Sequence, residues 1–194
     1  YLLIGQPKTG KTTAASEWSE KGSNGVLIID TDLGADFTDE ANTVTVTTLN
    51  PPTRPVFLKG KQVMENGFPQ VEVIPPDERG FKHRNGKKAG KIAKVYSLIE
   101  IYQWLEKEWD NIPYDTIVLD TIGQVNEWIE TTVVQELGIT AMGEGQWGAD
   151  WGKARKKNVD IVKRFQTLAK KNGGNFVIIS HSKTTTTHLI PSLQ

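Results

Sequence analysis

The sequence predicts an α/β protein with a mainly parallel central sheet flanked by helices, and three observations carry that expectation. Four short apolar runs, residues 1–4, 26–30, 116–120 and 176–180, have the length and the Val/Ile/Leu content of buried parallel strands. Stretches with helical spacing lie between them, the alternation expected of right-handed crossovers. A glycine-rich phosphate motif stands directly after the first run.

The motif is Gly5-Gln6-Pro7-Lys8-Thr9-Gly10-Lys11-Thr12, which fits G-x-x-x-x-G-K-[ST]. A strand that stops at a glycine-rich turn and restarts as a helix through Thr13-Ala14-Ala15-Ser16-Glu17-Trp18 aims several backbone N–H groups at one spot. The positive end of the helix dipole adds to them, so the spot holds phosphate. The segment from Gly5 to Thr13 is therefore expected to bind a nucleoside triphosphate, taken as ATP. Lys11 would reach the β/γ-phosphates and the Thr12 hydroxyl would take Mg²⁺.

Further along, residues 97–109 carry Leu98, Ile101, Tyr102, Leu105 and Trp109 at helical spacing. Residues 151–171 carry Trp151, Ala154, Ile161, Phe165, Leu168 and Ala169 on one face, and Asn172-Gly173-Gly174 ends that helix. On this spacing Trp151 is expected in the core. The stretch 43–95 breaks the rhythm. It holds six of the nine prolines, alternating runs at 44–47 and 70–74, and an Asn85-Gly86 turn signal. It is expected to be a β-rich insertion or hairpin arm within a single domain covering 1–194, and no internal repeat is visible.

Bulk properties set limits. Twenty-three basic and 23 acidic residues give a formal net charge of zero, so any nucleic-acid binding must come from local patches. The absence of cysteine excludes disulfides, thiolate zinc sites and cysteine nucleophiles. No apolar run approaches a membrane span and no signal-peptide pattern opens the chain, so a soluble, cytoplasmic protein without membrane contact is expected. A start inside a strand-like run without Met, and an end at Pro191-Ser192-Leu193-Gln194, are what a trimmed chain would show. The Thr184–Thr187 run is a place where a loop could have been cut out.

A phosphate loop needs a carboxylate at the end of a neighbouring strand to hold the Mg²⁺ water shell, and Asp120 ends the run Thr116-Ile117-Val118-Leu119. Hydrolysis also needs a group that positions or deprotonates water. Asp30 and Asp32 follow the strand at 26–29, and Asp32 is the chosen base, with Lys11, Asp120 and His181 completing the catalytic set. Glu127, one turn beyond Asp120, is expected on a solvated face. The fourth strand ends in Ser180-His181-Ser182-Lys183, where His181 could hydrogen-bond the γ-phosphate and report its loss.

Taken together, Gly5–Thr13, Ile28-Ile29-Asp30-Thr31-Asp32-Leu33-Gly34, Ile117-Val118-Leu119-Asp120-Thr121, Ile179-Ser180-His181-Ser182-Lys183 and Ile190-Pro191-Ser192-Leu193-Gln194 resemble the phage nucleotide-binding (AAA-type) ATPases of the RecA superfamily. The Gly148-x-x-Trp151-Gly152-x-x-Arg155 segment is similar too. The resemblance implies a RecA-like P-loop NTPase core with strand order 5-1-4-3-2, the His181 strand lying between the P-loop and Asp120 strands. It implies Lys11 and Thr12 as phosphate and Mg²⁺ residues, Asp120 as the second Mg²⁺ residue and His181 as the sensor. It also implies a role in single-strand annealing and recombination, and assembly into rings or filaments with ATP near subunit boundaries. Phage origin would place the protein in the host cytoplasm, with a single-strand-binding protein as a further partner. The family pattern favours Glu where this chain has Asp32, which points to slow hydrolysis.

Two basic regions could track a single-stranded DNA backbone. The first is the arm with Arg79, Lys82, Arg84, Lys87, Lys88, Lys91 and Lys94. The second is the helix with Lys153, Arg155, Lys156, Lys157, Lys163 and Arg164. Trp147 is the stacking candidate beside the helix, Lys183 is a further candidate contact, and residues 184–189 match the place of a mobile DNA-binding loop. Two other functions stay open: a nucleotide-dependent oligomeric switch with little hydrolysis, and a P-loop kinase acting on a small molecule. The insertion is richer in lysine than in the arginine typical of kinase lids, and no groove-reading helix motif is present.

Overall fold

The computed structural model describes residues 1–33, 42–82 and 92–182. In chain order, β1 (Leu2–Gly5) leads into α1 (Lys11–Ser16), and β2 (Val26–Asp30) and β3 (Asn42–Thr48) follow. Short strands come next: β4 (Thr53–Pro55), β5 (Phe57–Leu58), β6 (Lys61–Gln62), β7 (Met64–Glu65), β8 (Phe68–Pro69), β9 (Val71–Val73), β10 (Phe81–Lys82) and β11 (Ile92–Ala93). Then β12 (Val95–Ser97) runs into α2 (Leu98–Glu108), β13 (Thr116–Asp120) precedes α3 (Ile122–Leu137), and α4 (Ala149–Lys171) returns to β14 (Asn175–His181).

Six of these strands form one sheet in the order β1-β14-β13-β2-β3-β12, every neighbouring pair parallel. The fold is thus the α/β P-loop arrangement, with the His181 strand between the phosphate-loop strand and the Asp120 strand. Four core strands stand in the expected order 1-4-3-2, and among the described residues β1 is the edge. β2 and β13 are buried along their whole length, which is why they read as continuous apolar runs.

Alternation divides the core into two layers. Val26, Ile28, Val118, Val177 and Ile179 pack under Ala15 of α1 on one face. Leu27, Ile29, Ile117, Leu119 and Phe176 face α2, α3 and α4 on the other. Phe165 of α4 fixes the larger layer, stacking on Phe176 at 5.5 Å and meeting Tyr102 of α2 edge-on at 5.4 Å. Gly174 is required where α4 turns into β14, because a Cβ there would lie 2.4 Å from the Asp115 carbonyl oxygen.

Three sequence expectations are corrected. The stretch 43–95 is not wholly an insertion: β3 and β12 at its ends belong to the main sheet, with Val46 and Val95 buried in it. The Val/Thr alternation of residues 44–47 suggested a hairpin, but it arises because β3 is only partly covered. Trp151 is half exposed, since α4 turns its Ala154–Ile161–Phe165 stripe inward and leaves Trp151 on its flank. Finally, α3 was not foreseen, although Val125, Ile129 and Val133 at i, i+4 and i+8 supply its buried stripe.

Between β3 and β12 the chain leaves the sheet, and a largely buried ion pair ties it back at the start of α2. Ser97 caps α2 by accepting from Glu100 N–H at 3.3 Å, and Ser97 N–H donates to the Glu100 carboxylate at 2.8 Å, a complete capping box. The same carboxylate takes a two-pronged grip from buried Arg79, at 2.6 and 2.7 Å, while Arg79 Nε donates to the Ile74 carbonyl. The Arg79 guanidinium is the largest influence holding the Glu100 carboxyl down to about 2. Because the folded value lies below the usual one, this contribution to stability is present above about pH 4.5 and lost as pH falls through 2. Glu100→Gln should cost about 2 kcal/mol, or about 4–8 °C in melting temperature, and flatten the acid limb of a stability–pH curve. Urea unfolding of wild type and variant between pH 7 and pH 2.5 checks this, and parallel acid limbs would refute it.

Candidate active site

β1 hands the chain to a loop that folds into a concave nest. Lys8 and Gly10 both take the left-handed backbone region, with φ of 64° and 79°, and Lys11 opens α1 directly afterwards. The Thr9 hydroxyl donates to the Gln6 carbonyl at 2.8 Å. Lys11 Nζ lies over the loop, donating to the Gly5 and Gln6 carbonyls at 3.0 and 2.6 Å. A phosphate seated on the loop amides would draw that ammonium onto itself, since a charge-assisted bond to phosphate outcompetes neutral carbonyls.

The parallel register brings the other side chains to this loop. Gly5 is paired with His181, and Ile179 with Asp120, so all three strand ends open on one edge of the sheet. Thr12, in the first turn of α1, reaches across to β13 and donates its hydroxyl to Asp120 Oδ2 at 2.5 Å. Asp120 is buried, and that burial pushes its carboxyl above the usual range. Asp32 adds to the rise, while the Thr12 hydrogen bond, His181 and Lys11 oppose it. Lys11, Asp32 and His181 thus all act on one carboxylate, although Asp32 and His181 are themselves exposed.

The donor set fits Mg²⁺. Thr12 and Asp120 offer hard oxygen ligands side by side, and Mg²⁺ is usually held by one or two protein oxygens with phosphate and water completing its shell. Among the described residues no group of three His, Asp or Glu side chains forms an all-protein metal cage.

A family model described as the AAA domain matches residues 1–191. The chain belongs to the AAA domain family. The AAA domain is a P-loop ATPase domain, so the activity class of this chain is that of a nucleotide-binding ATPase. No curated protein matches the chain closely enough to count as a relative. No helix among the described residues is long and apolar enough to cross a membrane.

Within this AAA domain, sequence reasoning passed over Thr31. Its backbone N–H donates to the Asp120 carbonyl at 2.7 Å. Its hydroxyl donates to the Thr121 carbonyl at 2.9 Å and accepts from Thr121 N–H at 2.7 Å. Buried between Asp30 and Asp32, Thr31 clamps the β2 turn onto the end of β13 and so fixes where Asp120 stands. The only signal in the sequence was a small hydroxyl residue between two carboxylates. Glu127 is exposed, as expected, and takes a hydrogen bond from Gln124.

The basic candidates of the AAA domain divide. Arg79 is committed to Glu100, and Lys94 pairs with Asp77 at 3.0 Å, so neither belongs to a free basic arm. β10 and β11 pair antiparallel at the base of the expected arm, while Arg84, Lys87, Lys88 and Lys91 lie outside the described residues, as do Lys183 and the 184–189 segment. On α4, Lys153 and Lys157 both bind Glu136 of α3 at 2.8 Å, which removes them from an external phosphate track. Arg155 and Lys156 remain exposed. Trp147 is fully exposed on a loop held by buried Asp150, whose carboxylate accepts from the N–H groups of Gly143, Gly145 and Trp151.

Thr31→Val deletes both side-chain bonds while keeping the shape. With Asp120 as a carboxylate that would hold Mg²⁺, it should raise the Mg²⁺ concentration for half-maximal ATP hydrolysis about tenfold, the usual cost of losing a partner behind a metal ligand. Thr31→Ser should restore it. An unshifted Mg²⁺ curve in the Val variant would leave Thr31 a merely structural residue.

Proposed function

We propose that this AAA domain is an Mg²⁺-dependent ATPase that works on single-stranded DNA in recombination or strand annealing, encoded by a phage and acting in the host cytoplasm. The observation that carries the ATPase part is the Thr12–Asp120 hydrogen bond, which joins the phosphate loop to the carboxylate two strands away.

In this reading the loop amides from Gln6 to Thr13 hold the phosphates, and Lys11 bridges the β- and γ-phosphate oxygens. Thr12 and Asp120 hold Mg²⁺, which would neutralise the charge that builds up on those oxygens. Asp32 orients a water and accepts its proton as the water oxygen attacks the γ-phosphorus and the bond to the ADP oxygen breaks. His181, at the end of β14 beside Gly5, hydrogen-bonds the γ-phosphate and passes its loss to the chain that follows. Asp32 is one methylene shorter than the glutamate its resemblance favours, about 1–1.5 Å further from the water, and such a gap can cost about 100-fold in rate. A nucleotide-dependent oligomeric switch with little turnover is the second reading, and the short, exposed Asp32 side chain is what favours it.

For DNA, exposed Trp147 on the loop that leads into α4, with exposed Arg155 and Lys156 on α4 itself, supplies the aromatic and cationic groups that hold single strands without sequence preference. Arg84, Lys87, Lys88, Lys91 and Lys183 are further contacts in this proposal, with a ring or filament of copies along the strand and a single-strand-binding protein as an additional partner.

Steady-state hydrolysis with and without an unstructured oligonucleotide tests the reading. Stimulation that fades between low and moderate salt is expected, and indifference to DNA would redirect the search toward a switch or a metabolite kinase. Lys11→Ala should abolish turnover, and unchanged hydrolysis there would remove the phosphate-loop assignment. Asp32→Asn should bind Mg·ATP with nearly wild-type affinity yet lose turnover by about 100-fold or more, and normal turnover would place the base elsewhere.

A further inference from the structure

Residues 53–73 form a three-armed sheet whose organisation is hidden in the sequence. β4 pairs with β9, β5 with β6 and β7 with β8, each antiparallel. The three ladders meet at Val56, Val63 and Gln70, spaced seven residues apart. Val56 N–H donates to the Gln70 carbonyl, Val63 N–H to Val56 and Gln70 N–H to Val63, at 3.0, 2.9 and 2.8 Å, closing a ring. Lys59-Gly60 and Asn66-Gly67, all four with positive φ, make the tight turns of two arms.

Because cross-strand partners share a face and neighbours alternate, the pairing sorts the side chains into two sets. One face carries Pro55, Phe57, Met64, Pro69, Val71 and Val73, completed by Thr53 and Gln62. It bears no charge at any of these eight positions. Arg54, Lys61, Glu65 and Glu72 all fall on the other face. The residues next after the ring, Phe57, Met64 and Val71, set one apolar side chain on each arm around the centre. Phe57, Met64, Val71 and Val73 are between 50 and 61% exposed, so nothing among the described residues covers this face.

We propose that this uncharged face is the interface of a two-fold dimer of the chain, face on face. The missing charge excludes a polyanionic partner, since nucleic acid and anionic lipid need cations to replace their counterions. A single layer of two- and three-residue strands has no core, whereas stacking it on its own copy supplies the second layer that sheets require. Because the patch is apolar and bears no charge, it meets its own copy without setting like charges against each other, as a two-fold contact demands. Eight half-exposed residues offer on the order of 500 Å² per copy, so the pair buries about 1,000 Å², the lower bound for a specific interface. The module is inserted between β3 and β12, at the opposite side of the sheet from β1, so the contact does not depend on the nucleotide reading.

The chain has no cysteine, which makes single-cysteine crosslinking clean. Phe57→Cys, Met64→Cys and Val71→Cys in the full chain, mildly oxidised without nucleotide at about 50 μM, should give disulfide dimers several-fold more than Leu58→Cys and Phe68→Cys, whose side chains lie on the charged face. Val71→Lys, a change at an exposed position, should weaken self-association about tenfold in sedimentation equilibrium with an unchanged far-UV circular dichroism spectrum. Lys11→Ala should leave the dimer intact even where it abolishes turnover, which separates failure here from failure of the ATPase reading. Equal crosslinking on both faces, a wild-type chain that stays monomeric at this concentration, or crosslinking lost on adding a single-stranded oligonucleotide would each overturn the proposal.

Discussion

A hydrogen bond of 2.5 Å between Thr12 and Asp120 joins the two halves of the site, and most of the architecture exists to make it possible. The partners are 108 residues apart, on α1 and β13, and β14 separates β13 from the strand that leads into α1. They meet because parallel strands all deliver their C-terminal ends to one edge. The C-terminal ends of the strands are therefore shared ground for Gly5, Asp120 and His181, and for Thr31 just beyond β2. One misregistered strand would move its residue by about 3.3 Å along the edge and turn it to the other face.

That dependence explains how polarity is distributed in the interior. β2 is apolar until its last residue and β13 between Thr116 and Asp120, and four buried polar groups gather where those strands end: Asp30, Thr31, Asp120 and Thr121. Each is costly to bury, and the pairing of Thr31 with the Asp120 and Thr121 backbone shows how the cost is offset, with peptide groups satisfied at the turn itself. Asp120 keeps its elevated carboxyl because burial outweighs the help from Thr12, Lys11 and His181. A divalent ion would reverse that balance, as a bound cation is the largest charge in its surroundings.

Elsewhere the charges serve packing. Arg79 and Glu100 fasten the return from the outlying hairpins to the start of α2, and Lys153 and Lys157 fasten α4 to Glu136 of α3. As sequence these cations looked like two tracks for a phosphate backbone. Their partners lie 21 and 17–21 residues away in the chain, so a linear reading had no means of subtracting them. Exposed Trp147 and half-exposed Trp151 carry the opposite lesson. Helical spacing assigned Trp151 inward, yet the width of the buried stripe, not the period alone, decides a flanking position.

By itself the sequence determined the phosphate loop, the four core strands with Asp120 and His181 at their ends, and the boundaries of α2 and α4. These are local consequences of glycine placement, apolar runs and helical spacing, and each needs only a window of residues. Tertiary structure decided the rest. It drew β3 and β12 into the parallel sheet, because a half-covered sheet strand and a hairpin strand share the same alternating pattern. It made Thr31 a clamp, a role set by a neighbour 90 residues on. It also closed two short hairpins and the β4–β9 ladder into a ring with one uncharged face, since cross-strand pairing, and not the order of residues, determines which side chains stand together.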